Sequence, residues 1–164
     1  MQPQRIEPRP GQESVWDYPR PPSTELTDRH VQAYFAGELI ADTCRSIRVL
    51  ETGHPPVYYV PVEDVRTEYL SASPRTTYCE YKGPAHYYTL QIGDQVAMEA
   101  ACYHPEPTAS YASLTGHVAF YPGRVSTCLV DDEIVQPQPG EFYGGWITSE
   151  IIGPFKGGPG TLGW

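Results

Sequence analysis

Tyr87-Tyr88-Thr89-Leu90-Gln91-Ile92, then Gly93-Asp94, then Gln95-Val96-Ala97-Met98-Glu99-Ala100 is the stretch that decides the fold. Two strand-like runs flank a Gly-Asp pair, and glycine admits the positive φ that a tight hairpin loop needs. The same grammar continues outward. Val31, Ala33 and Phe35 alternate with Gln32 and Tyr34, the period of two expected of a strand with one buried face. Ala36-Gly37 then separates this run from Glu38–Asp42, which predicts a second hairpin. Ile47, Val49 and Leu50 read as a strand or a short helical turn. Val57–Val60 follows the Pro55-Pro56 break, and Val65–Leu70 is a further predicted strand. Tyr111–His117 predicts one short helix ending at Gly116. Val125–Val130 and Ile134-Val135 flank the acidic turn Asp131-Asp132-Glu133.

Composition points the same way. The 164 residues include 18 Pro, 15 Gly and 13 Tyr, which disfavours helices and suits a half-buried pleated surface. The expectation is a mainly β chain forming a single domain, with at most one or two short helices. Residues 1–27 read as an extended arm rich in proline, anchored by Trp16 and Tyr18, with residues 1–12 expected to be free. Residues 28–136 form the predicted core domain. Residues 137–164 form a Gly/Pro-rich tail whose Phe142, Tyr143, Trp146, Phe155 and Trp164 call for burial against that core.

A formal charge of −9 opposes a nucleic-acid partner, which needs cationic surface. No basic amphipathic stretch addresses a membrane surface, and no apolar run approaches a span. Met1–Glu7 lacks the apolar centre of a signal peptide, so the expected location is cytoplasmic and the four cysteines (44, 79, 102 and 128) are expected to be reduced.

Several ordered segments carry a family resemblance. They are Val15–Pro22, Ile40–Thr43, Val49–Pro61, Thr77–Gly83, Val118–Pro122, Tyr143–Trp146 and Gly153–Gly160. Together they resemble domain-of-unknown-function family 427, over nearly the whole chain from about residue 13. The resemblance implies a compact, tent-like β fold of curved antiparallel sheets packed at an angle, and no established activity. Where similar proteins tend to have Trp-x-Tyr-Pro, this chain has Cys102-Tyr103-His104-Pro105. The family is sometimes labelled a nucleotidyltransferase. That chemistry needs spaced carboxylates around Mg²⁺, and consecutive Asp131-Asp132-Glu133 reads instead as a solvated hairpin turn.

The candidate chemistry centres on Cys79-Glu80-Tyr81-Lys82-Gly83. A cation three residues from a thiol favours thiolate, so Cys79 is a candidate nucleophile and Lys82 a candidate anion binder. The competing reading is a small buried residue followed by a lysine that closes a turn. His54, stiffened by two following prolines, is a candidate acid or base, set against a structural histidine bonded to a carbonyl. Tyr58, Arg45 and Arg124 are further candidate ligand-binding residues. Cys102, His104, His86 and His117 offer sulfur and nitrogen donors, but without paired ligand motifs no metal is expected, and no cofactor. Lys156–Thr161 could form an anion-binding nest of amides, or simply a tail turn.

The leading expectation is a small-molecule-binding protein with a tyrosine-rich polar pocket, with catalysis left open. The alternative is a structural or protein-interaction module, and a weaker one is nucleotidyl transfer. A homo-oligomer is allowed by the sequence.

Overall fold

The computed structural model describes residues 3–140, 142–161 and 163–164. Met1 and Gln2 of the expected arm, and Glu141 and Leu162 of the expected tail, lie outside the described residues. The chain is mainly β. Its strands in order are β1 (Glu13–Ser14), β2 (Ser23–Thr27), β3 (Val31–Phe35), β4 (Glu38–Thr43) and β5 (Ser46–Leu50). There follow β6 (Val57–Pro61), β7 (Leu70–Cys79), β8 (Gly83–Ile92), β9 (Gln95–Tyr103) and β10 (His117–Phe120). The last are β11 (Thr127–Val130), β12 (Glu133–Ile134), β13 (Gln136–Pro137), β14 (Trp146–Ile147) and β15 (Ile151–Ile152). Helix is confined, among the described residues, to short 3-10 turns. None is long and apolar enough to cross a membrane.

A seven-stranded sheet in the order β2-β5-β6-β10-β9-β8-β7 packs against a four-stranded sheet, β12-β11-β3-β4. Pairing within both sheets is antiparallel, and neither closes into a barrel. Turn chemistry sets the hairpins. Ala36 and Gly37 both take positive φ (51° and 80°), as do Asp131 and Asp132 (47° and 68°), the signature of a type I′ turn. Between β8 and β9, Gly93 supplies φ of 59°.

The core lies between the two sheets. Val31, Ala33 and Ile40 of the smaller sheet meet Val60, Leu90, Val118 and Phe120 of the larger. The tail closes the edge of this core through Trp146, which is fully buried and donates Nε1–H to the Phe120 carbonyl at 3.0 Å. Its amide pairs with the Pro56 carbonyl at 2.8 Å. Arm and tail also meet each other, because β1 and β15 form a short parallel ladder.

Three expectations need correction. Of Val65–Leu70 only Leu70 belongs to a strand, as the first residue of β7. Two 3-10 turns, Val62–Asp64 and Thr67–Tyr69, flank Val65 and Arg66, and Val65 makes only an isolated bridge to Ala41. Residues 23–27, expected within the arm, form the edge strand β2. The helix predicted over 111–117 is a 3-10 segment, Ala109–Leu114, and strand β10 begins at His117 directly after Gly116 (φ 76°).

Candidate functional site

Strand alternation builds the site. The register of the large sheet aligns Ile47, Tyr59, Ala119, Cys102 and Tyr87 in one row across five strands. This row faces away from the inter-sheet core and forms a second apolar cluster. In its middle, Ala119 and Cys102 are short; Tyr59 and Tyr87 stand on either side. Short residues between tall ones leave a trough, and the arm, the β7–β8 turn and the tail roof it. The resulting cavity measures about 440 Å³.

Two histidines border the cavity, and their tautomers follow from their partners. His104 Nδ1 lies 3.0 Å from the Pro84 carbonyl, which can only accept, so Nδ1 carries the proton. Nε2 is then an acceptor, and the buried Tyr59 hydroxyl donates to it at 3.1 Å. His54 is fixed through Gln138. The Gln138 oxygen accepts from the Gly145 amide at 3.2 Å, and its NH₂ group donates to the Lys156 carbonyl at 2.6 Å. The same NH₂ group therefore donates to His54 Nδ1, 2.9 Å away, and the His54 proton sits on Nε2.

Both imidazoles are held neutral. Burial, reinforced by Lys156, Arg20 and Lys82, pushes His54 down to about 4. Burial and Lys82 push His104 down to about 4, against the opposing effect of the Pro84 hydrogen bond. Burial also raises the Tyr59 phenol well above its ordinary value, so it stays protonated as the donor to His104. The Cys102 thiol is raised by burial too.

The Cys79–Gly83 turn joins β7 to β8, and Cys79 pairs with Gly83 across it. Gly83 takes φ of 94°, which other residues rarely adopt. The turn is braced from behind, because the Thr108 amide donates to the Lys82 carbonyl at 3.0 Å. Thr108 Oγ1 also donates to the Tyr81 carbonyl at 2.6 Å. This bracing turns the Lys82 side chain over the trough, where Nζ lies 5.8 Å from the Tyr59 ring centroid. Cys79 Sγ accepts the Lys82 amide at 3.5 Å, so the thiol helps close the turn.

Of the residues singled out in the sequence, His54, Cys79 and Lys82 thus line one cavity. Tyr58, Arg45 and Arg124 do not. Tyr58 is one residue out of phase with Tyr59, so it points into the inter-sheet core against Trp146, with ring centroids 5.0 Å apart. Arg45 pairs with Asp64 at 3.0 Å on the outer surface. Arg124 lies behind the cavity wall, over the Tyr121 ring at 4.2 Å, and binds the Glu99 carbonyl at 2.7 Å.

The other candidates separate as well. Cys102 and His104 share the cavity face, whereas His86 packs on Tyr103 and His117 Nδ1 binds the Thr115 carbonyl. Among the described residues no group of three or more His, Cys, Asp or Glu is placed to hold a metal ion. Asp131 accepts from Arg29 and the His30 amide, and Glu133 accepts from Ser149. In the Lys156–Thr161 turn, the Gly157 amide goes to Thr161 Oγ1 and the Thr161 amide to the Gly158 carbonyl. What that turn gives the cavity is the Lys156 side chain.

The sequence sets both Tyr58 and Tyr59 beside His54 as hydroxyls for a pocket wall, and the cavity takes Tyr59. Sequence reasoning missed Tyr87, Gln138 and Arg20 as cavity residues. Strand parity was the available signal for Tyr87, since Tyr87 and Cys102 belong to neighbouring runs. Gln138 had none, because its role depends on tail docking. Gly144 is explained only by the fold: a Cβ there would overlap the Tyr121 ring that walls the cavity.

No curated protein matches the sequence. A family match extends from β2 through the β11–β12 turn, residues 23–131, and so contains Tyr59, Lys82, Tyr87, Cys102, His104 and His54. The chain belongs to the family described as domain of unknown function (DUF427).

Proposed function

We propose that this chain is a cytoplasmic small-molecule-binding protein whose site is the trough over the large sheet. The observation that carries the reading is the cavity itself. It combines a volume of about 440 Å³, aromatic walls and a few oriented polar groups, the usual make-up of a small-ligand site. Its polar groups are preorganised, because Gln138 and Pro84 lock both imidazoles before any ligand arrives.

Native mass spectrometry of freshly purified protein tests this. The expected result is the 18.3 kDa chain carrying a retained small molecule. Cys102→Leu, which adds bulk to the trough floor, is expected to lose that molecule while keeping the β-sheet circular dichroism. A chain that retains nothing and gains no thermal stability from a library of small aromatic compounds would overturn the proposal.

A further inference from the structure

Among the described residues, one imidazole N–H at the cavity has no hydrogen-bond acceptor in the fold. His54 Nε2–H is the free end of a side chain only 9% exposed, and its nearest carboxylate oxygen, on Glu51, is 3.9 Å away. That is beyond hydrogen-bond reach. Its other nitrogen is committed to Gln138, so the ring has no alternative way to satisfy this donor. The N–H opens onto the cavity and is not sealed away from water, so a ligand acceptor can take water's place there.

The cations around it point to the same class of ligand. Arg20, Lys82 and Lys156 line the cavity with Glu51 and Glu80, a local positive balance in a chain of formal charge −9. Arg20 already pairs with Glu51 at 3.5 Å. Among the described residues neither Lys82 nor Lys156 has a carboxylate within ion-pair distance, although acidic residues outnumber basic ones by 20 to 11. Both ammonium groups are close enough to act electrostatically on His54.

From this convergence we infer that the site takes an aromatic monocarboxylate, its carboxylate held by His54 Nε2–H, Lys82 and Lys156 and its ring lying in the trough between Tyr59 and Tyr87. The inference rests on the binding-site reading above. Charge selects a monoanion, because three cations face two carboxylates and a dianion would overshoot that balance. The flat body follows from the trough, in whose lining the short Cys102 lies with the Tyr59 and Tyr87 rings.

Isothermal titration calorimetry with three probes tests it: 2-naphthoate, neutral 2-naphthamide and dianionic 2-naphthyl phosphate. Naphthoate is expected to bind at least about tenfold more tightly than either of the others. Lys82→Met and His54→Phe are each expected to weaken naphthoate about tenfold and naphthamide by a smaller factor, with the β-sheet circular dichroism retained, which separates lost charge recognition from lost folding. Naphthamide binding as tightly as naphthoate would overturn the anion inference and leave the site standing. Tighter binding of the phosphate would overturn the monoanion assignment. Failure of all three probes would count against the site itself, and the inference would fall with it.

Discussion

Acid should unfold this protein earlier than its carboxylates alone would require. The perturbation is a fall from pH 7 to pH 5, and the responsible groups are His54 and His104. Each has a folded-state value near 4 against 6.5 for the free side chain, so between those limits the unfolded chain binds more protons. Stability is therefore full above about pH 6.5, falls through the window and is fully lost from these groups below about pH 4. Protonating His54 would also set a new Nδ1–H against the Gln138 NH₂ group, two donors facing each other. From pH 7 to pH 5 the linkage relation gives a loss of roughly 2 kcal/mol per histidine, or about 4 kcal/mol for the pair. That is a large share of the stability of an ordinary domain. Carboxylates such as Glu13, held below their usual range, contribute their loss at lower pH. Urea unfolding followed by tryptophan fluorescence at pH 7, 6 and 5 measures the effect. His54→Gln and His104→Gln should each reduce the pH slope by about half, whatever they do to stability at pH 7. Equal stability at pH 7 and pH 5 would refute the neutral, buried state of both rings.

Other perturbations give distinct readouts. Tyr59→Phe removes the donor to His104 Nε2 and should cost about 1–3 kcal/mol in urea, the range for a buried polar group left unpaired. Ala36→Asn keeps the positive φ at the β3–β4 turn with a residue that tolerates it, and should raise stability by roughly 0.5–1 kcal/mol; a lower midpoint would contradict the type I′ assignment. Gly144→Ala drives a methyl group into the Tyr121 ring and should cost about 1–3 kcal/mol, read as a lower thermal midpoint.

Much of the architecture was legible because it is written locally. Ala36-Gly37 and Gly93-Asp94 sit between alternating runs, and each marks a hairpin in the structure. Strand β7 was harder to see. Its residues are largely exposed and it contains Pro74, which an edge strand accommodates at the register shift between Ala72 and Thr76. The site was legible in chemistry but not in phase. Val57-Tyr58-Tyr59-Val60 offers two adjacent tyrosines, and nothing local says which one faces the core. That choice is made by the partners of β6, which align Tyr59 with Ile47 and Ala119. The partnership of His54 with Gln138 spans 84 residues and exists only once the tail has docked.

The floor and roof of the cavity have different origins. Tyr59, Tyr87, Cys102 and His104 fall inside the family match at residues 23–131, whereas Arg20, Gln138, Gly144 and Lys156 fall outside it. The matched segment thus supplies the receptacle together with His54 and Lys82, and the two flanks complete its rim. Exchanging Arg20 or Lys156 on those flanks would change the charge at the mouth while leaving the strands beneath the trough untouched.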